Sequence, residues 1–198
     1  MTALLTIENL PDLNETITVP EDIFEELTAQ DASVAGFNPY EQPTVRDLLY
    51  GVLLPSGADA CETLARAVGG SEEGFVAMMN QKAEELGLTN THFENCTGLH
   101  NDNHYSTCRD IAVLMSECLK SDTFREIVTR EVYTTEATAS HPEGITLYDT
   151  MLHRFTSYEM STTLENGAVI EGGKTGFTDE AGQCLVSFAE YGGEEYIL

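Results

Sequence analysis

The chain has 198 residues, 41% of them hydrophobic, enough to bury a sizeable core in one domain, with two small domains left open. Nine Lys and Arg stand against 34 Asp and Glu, a formal charge of −25, which argues against a nucleic-acid partner because phosphate neutralisation needs cations. No stretch approaches the roughly 18 consecutive apolar residues of a membrane span, and the N-terminus lacks the basic-then-apolar pattern of a secretory signal.

In chain order, "MTALLTIENL" reads as the end of an apolar helix without a start signal of its own. Thr44, followed three residues later by Asp47 and then by Leu48, Leu49 and Val52, predicts a helix opened by a capping box and closed near Pro55. A second helix over Ala58 to Val68 stops at Gly69-Gly70, and Ser71 with Glu72 and Glu73 opens the next. There Phe75, Met78, Met79 and Leu86 share a face. Ile111, Leu114, Met115, Cys118 and Leu119 repeat the spacing later, and both stripes read as core. Between them "THFENCTGLHNDNHYST" has no periodicity and reads as a loop of the polar kind that often lines sites. His100, Asp102 and His104 in that loop are metal-ligand types. Without a helix their spacing does not put both imidazoles on one face, so they are expected to fix the loop by hydrogen bonds.

Past Glu131 the pattern changes. "REVYTT" reads as a strand, "ASHPEG" as a turn, and "GAVIEGGKTGF" and "QCLVSFAEYGGEEYIL" as strands with a Gly-Gly turn near the end. Helices first and consecutive strands after them predict an α+β fold, helices packed on an antiparallel sheet. The five cysteines form no CxxC pair and their number is odd, so buried free thiols are expected. Cys96 and Cys108 flank the polar loop and would be the pair to form a disulfide in an exported protein.

Lys174-Thr175-Gly176 admits two readings. A phosphate-binding loop needs a glycine six residues before the lysine and a helix after it; here the position holds Ala168 and a strand follows. In an extended segment, the cation, the hydroxyl and the absent side chain let a substrate lie along the strand with its carboxylate on Lys174 and Thr175, Gly176 leaving room for its backbone. Upstream, Ser56-Gly57 sits between two helical stretches, where a serine ordinarily serves as an N-cap.

Ser-x-x-Lys, Ser-Asp-Asn and Lys-Thr-Gly form the signature set of penicillin-binding proteins and class A β-lactamases. "LLYGVLLPSGADA", "MNQKAEELGLTNTHFENCTGLH", "HYST" and "GGKTGFTDEAGQCLV" resemble, in sequence and order, the low-molecular-weight penicillin-binding proteins, the serine-type D-alanyl-D-alanine carboxypeptidases. The resemblance covers nearly the whole chain. It implies a β-lactamase/penicillin-binding-protein transpeptidase-like fold, incomplete here. It also implies that residues 1–198 are a partial catalytic domain, starting after a nucleophilic serine roughly five residues before Met1 and its lysine roughly two before.

By the same resemblance the activity is acyl transfer on peptidoglycan stem peptides ending in D-Ala-D-Ala, in the bacterial cell envelope outside the cytoplasmic membrane. β-Lactams would be ligands of the full-length protein, membrane association would come only through regions outside this chain, and no metal or organic cofactor is implied. Ser56 would relay a proton, Lys174, Thr175 and Gly176 would hold the substrate, and the Phe177 N–H would complete an oxyanion hole with that of the nucleophile. Around Ser56, Gly57 and Ala58 complete the second motif, but Ala58 stands where the family commonly has asparagine, and Asp59 is the neighbour able to compensate. A non-catalytic relative that binds muropeptides or a partner through the Lys174 strand is the alternative.

Overall fold

The computed structural model, which describes residues 1–198, places seven helices before the first strand: α1 (Thr2–Asn9), α2 (Ile23–Ala29), α3 (Val45–Leu53), α4 (Ala58–Gly69), α5 (Glu72–Glu85), α6 (Cys108–Cys118) and α7 (Asp122–Val128). Local chemistry sets their ends. The Thr44 hydroxyl accepts from the Asp47 N–H at 3.1 Å while the Asp47 carboxylate accepts from the Thr44 N–H at 3.2 Å, the expected capping box of α3. Gly70, at φ +75°, closes α4 in the left-handed region, and the Ser71 hydroxyl opens α5 by accepting from the Gly74 N–H at 3.1 Å.

Both predicted stripes face inward. Phe75, Met79, Leu114, Met115, Cys118 and Leu119 are buried, with Met78, Leu86 and Ile111 packed against them. They join Leu48, Leu49, Leu54 and Leu64, all fully buried, and each such side chain contributes about 1.5–3 kcal/mol on leaving water.

The expected single sheet is two. β1 (Val132–Thr134) and β2 (Thr146–Tyr148) pair antiparallel as a separate ribbon, and after α8 (Leu152–Ser157) the strands β3 (Val169–Thr178), β4 (Gly182–Tyr191) and β5 (Glu194–Ile197) form an antiparallel meander. α2, α8 and β2 carry no periodic signal because they span only seven, six and three residues, too few for a stripe to repeat.

The pleat puts Phe188, fully buried, and its partner Gly172 on the face toward the helices. A Cβ on Gly172 would lie 2.4 Å from the Val128 carbonyl oxygen, so a glycine there lets β3 seat against α7. On the opposite face Leu185 and Tyr196 are exposed.

All five cysteines are free. Cys61, Cys96 and Cys118 are buried as expected, but Cys108 and Cys184 are exposed. The Cys96–Cys108 pair does not form: Cys96 points inward, its thiol donating to the Glu62 carboxylate at 3.4 Å, while Cys108 begins α6 at the surface. The loop histidines fix the loop. His104 Nδ1 accepts from the Glu94 N–H at 3.3 Å and its ring meets Phe93 edge-on, and His100 reaches Asp102 at 3.3 Å. No helix is long and apolar enough to cross a membrane.

Candidate active site

Ser56 lies in the short turn between α3 and α4 with φ +62°, a conformation that costs a non-glycine residue on the order of 1–3 kcal/mol and is held by its surroundings. Those surroundings are specific. The Gly57 N–H donates to the Gly51 carbonyl at 2.8 Å and the Ala58 N–H to that of Ser33 at 2.8 Å. The Asp59 carboxylate, fully buried, accepts from the N–H groups of Ala35, Gly36 and Phe37 at 2.7, 3.0 and 3.0 Å. Gly57 is the N-cap of α4 and no side chain caps this helix, so the Ser56 hydroxyl is free for another partner.

That partner is Lys174, 118 residues away, whose ammonium donates to the Ser56 hydroxyl and, at 3.0 Å, to the Thr175 carbonyl oxygen. Burial pulls the Lys174 pKa below that of an ordinary lysine, opposed by the Cys61 and Asp149 side chains. Burial also pushes the Cys61 thiol up to about 12, so it is neutral near pH 7, and burial raises the Asp149 carboxyl as well, against the pull of the Leu152 and Met151 N–H groups and of Lys174.

The Thr175 hydroxyl meets that of Thr150 at 2.5 Å. Gly176 is exposed, and a Cβ there would meet nothing closer than Cys184 Cβ at 3.5 Å, so the strand surface is open beside it. Phe177 follows with its ring exposed.

Ser56, Lys174 and Thr175 thus converge with Gly176 and Phe177 next along β3, while Ala58 is buried with only a methyl group to offer. Asp59 does not stand in for an amide at Ala58, because its carboxylate is committed to the backbone of residues 35–37. Thr150 and Asp149 were not legible as site residues: they sit just before the unsignalled helix α8. The one available hint was Asp149 itself, whose carboxylate accepts from the Met151 and Leu152 N–H groups at 2.8 and 2.6 Å, a turn habit of aspartate.

Of two cavities, one adjoins these residues and the other lies apart from them. A groove of about 370 Å³ runs beside Thr175, lined mainly by Thr150, Met151, Phe155, Tyr158, Met160 and Leu185. A polar cavity of about 220 Å³ lies between α2, α4 and the loop, lined by Glu62, Arg66, Glu72, Asn95 and His100 among others. Only the first touches the Lys-Thr-Gly strand, so it is the better placed for a ligand of that strand. At the second, Glu62, Glu72 and Cys96 bring donor atoms within 4.8 Å of one another, yet Arg66 already stands 3.5 Å from Glu62.

The family model described as D-alanyl-D-alanine carboxypeptidase (Peptidase_S11) matches residues 1–198. The D-alanyl-D-alanine carboxypeptidase DacF of Bacillus subtilis (strain 168) is 34% identical over 193 residues, which cover 97% of this chain and 46% of the relative. The D-alanyl-D-alanine carboxypeptidase of Streptomyces sp. (strain K15) is 36% identical over 192 residues, 94% of this chain and 64% of that protein. The crystal structure of the Streptomyces K15 DD-transpeptidase superimposes with a TM-score of 0.82 at 33% identity, over 99% of this chain and 76% of that one. The chain therefore spans between about half and just under two thirds of the length of these curated relatives.

Proposed function

Because residues 1–198 belong to the D-alanyl-D-alanine carboxypeptidase family, we propose that they form part of the catalytic domain of a serine-type D-Ala-D-Ala carboxypeptidase acting on peptidoglycan stem peptides in the cell envelope. The observation that carries this reading is the Lys174 ammonium on the Ser56 hydroxyl, the second and third motif residues joined across the cleft. No serine in residues 1–198 is followed three positions later by lysine, so the acylated serine and its lysine come from a segment outside them.

In the complete protein that serine attacks the carbonyl between two terminal D-alanines, expels the last as its amine, and water then releases the acyl group. Ser56 passes a proton between the neighbouring lysine and the leaving amine. Lys174 and Thr175 hold the terminal carboxylate by charge-assisted hydrogen bonds, and the Phe177 N–H, with that of the nucleophile, stabilises the oxyanion. Ala58 withholds one hydrogen bond from the substrate. A bond to a reacting or charged group is worth about 1.5–3 kcal/mol, so the enzyme is slower, or prefers another peptide, than relatives with an amide there.

The test is an intact-mass measurement after exposure to a β-lactam. The 198-residue chain is expected to remain unmodified, and the chain carrying its natural upstream coding sequence to gain one adduct on a Ser-x-x-Lys serine. An adduct on any residue within 1–198 overturns the assignment of the nucleophile. No adduct on the extended chain, with D-Ala-D-Ala peptide binding retained and lost in Lys174→Ala, identifies a binding protein instead of an enzyme.

A further inference from the structure

Thr150 connects the two motifs through its backbone and its side chain. Its N–H donates to the Leu54 carbonyl at 3.2 Å, two residues before Ser56, and its hydroxyl shares a 2.5 Å hydrogen bond with that of Thr175. The preceding residue is anchored as well: the Asp149 N–H donates to the Glu131 carbonyl at 2.8 Å, and its buried carboxylate holds the first N–H groups of the following helix. Thr150 therefore has little freedom to drift, and both threonines line the open groove.

From this geometry we infer that Thr150 is a positioning residue for recognition of a free terminal carboxylate, acting through Thr175; the inference rests on the carboxylate role proposed above for Lys174 and Thr175. A hydroxyl has one hydrogen to donate, and a carboxylate only accepts. When Thr175 gives its hydrogen to the substrate, the bond between the two threonines persists only if Thr150 is its donor. Thr150 thus satisfies a lone pair of Thr175 and holds the Thr175 hydrogen toward the groove, which favours a ligand that accepts there over one that donates. A carboxylate-terminated peptide fits this polarity. The corresponding C-terminal amide carries no charge, keeps only one acceptor oxygen and presents an NH₂ donor that this polarity disfavours.

The experiment is calorimetric titration of the full chain with an N-acetylated peptide ending in D-Ala-D-Ala and with its C-terminal amide, for the wild type, Thr150→Val, Thr150→Ala, Thr150→Ser and Lys174→Ala. Thr150→Val and Thr150→Ala are expected to bind the acid about tenfold more weakly, the scale of one charge-assisted hydrogen bond, with the amide unchanged. Thr150→Ser, which keeps the hydroxyl, is expected to restore binding to within about twofold of the wild type. Equal acid binding by wild type and Thr150→Val overturns the inference while leaving the carboxylate role of Lys174 intact. Equal losses for acid and amide also overturn it, because they mark a merely structural residue. A wild type that does not prefer the acid, or a Lys174→Ala variant that binds it normally, removes the carboxylate reading and this inference with it.

Discussion

Glu62 on α4 is buried, 7% exposed, in a chain whose acidic groups are otherwise mostly solvated. Burial, and then the charge and hydrogen bonding of Glu72, push its carboxyl up from an ordinary 4.5 to about 7, while the Cys96 thiol and Arg66 pull it partly back. Each pH unit of displaced titration corresponds to 1.36 kcal/mol, so the displacement amounts to about 3 kcal/mol. For an acid titrating higher when folded, the folded state holds the extra proton between about pH 4.5 and 7. Stability from this group is complete below 4.5 and falls as the pH rises through 7. Glu62→Gln keeps the neutral shape and abolishes the titration. The variant is expected to match the wild type near pH 4.5 and to exceed its unfolding free energy by about 2 to 3 kcal/mol at pH 8. Urea unfolding of both proteins at half-unit intervals from pH 5 to 8 reads the contribution of the Glu62–Glu72 pair, since the two carboxyls interact and the remaining ones are common to both proteins. A constant difference across that range, or a variant less stable at pH 8, would refute the assigned burial and its sign.

Asp59→Ala leaves the buried N–H groups of Ala35 and Phe37 and the partly buried one of Gly36 without their acceptor, and a loss of about 3 kcal/mol or more in urea unfolding is expected; a loss below about 1 kcal/mol would show that the segment finds other partners. Thiol labelling of the folded chain is expected to modify Cys108 and Cys184 promptly. Cys61, Cys96 and Cys118, all buried with thiols pushed up by desolvation, should react only after denaturation. A third fast thiol would contradict the packing around α4 and α6.

Much of the fold is a local matter. Thr44 with Asp47, Gly69-Gly70 before Ser71, and the apolar stripes of α5 and α6 are written in nearest-neighbour chemistry, so the long helices could be read in order. The same holds for β3 to β5, whose length and Gly-Gly turn mark a meander. The short elements α2, α8 and β2 could not be read this way, although the three-residue β1 could. α2, α8 and β2 exist because the surrounding chain supplies partners for them, as the Asp149 carboxylate does for α8.

At the site the division falls differently. Ser56, Lys174, Thr175 and Gly176 were recognisable as motif residues, and the order of the motifs pointed to one family. Which groups touch was undetermined, because residues 118 positions apart in the chain meet only once the helices and the meander have packed. The fate of Asp59 shows why: its sequence neighbours leave it free to help Ala58, while the fold spends its carboxylate on residues 35–37. Thr150 shows the converse, an ordinary threonine by sequence that packing alone sets against both motifs. Residue identity determined what chemistry was available, and the tertiary structure decided which hydroxyl faces which, since hydrogen bonds act over about 3 Å and no local pattern carries that distance.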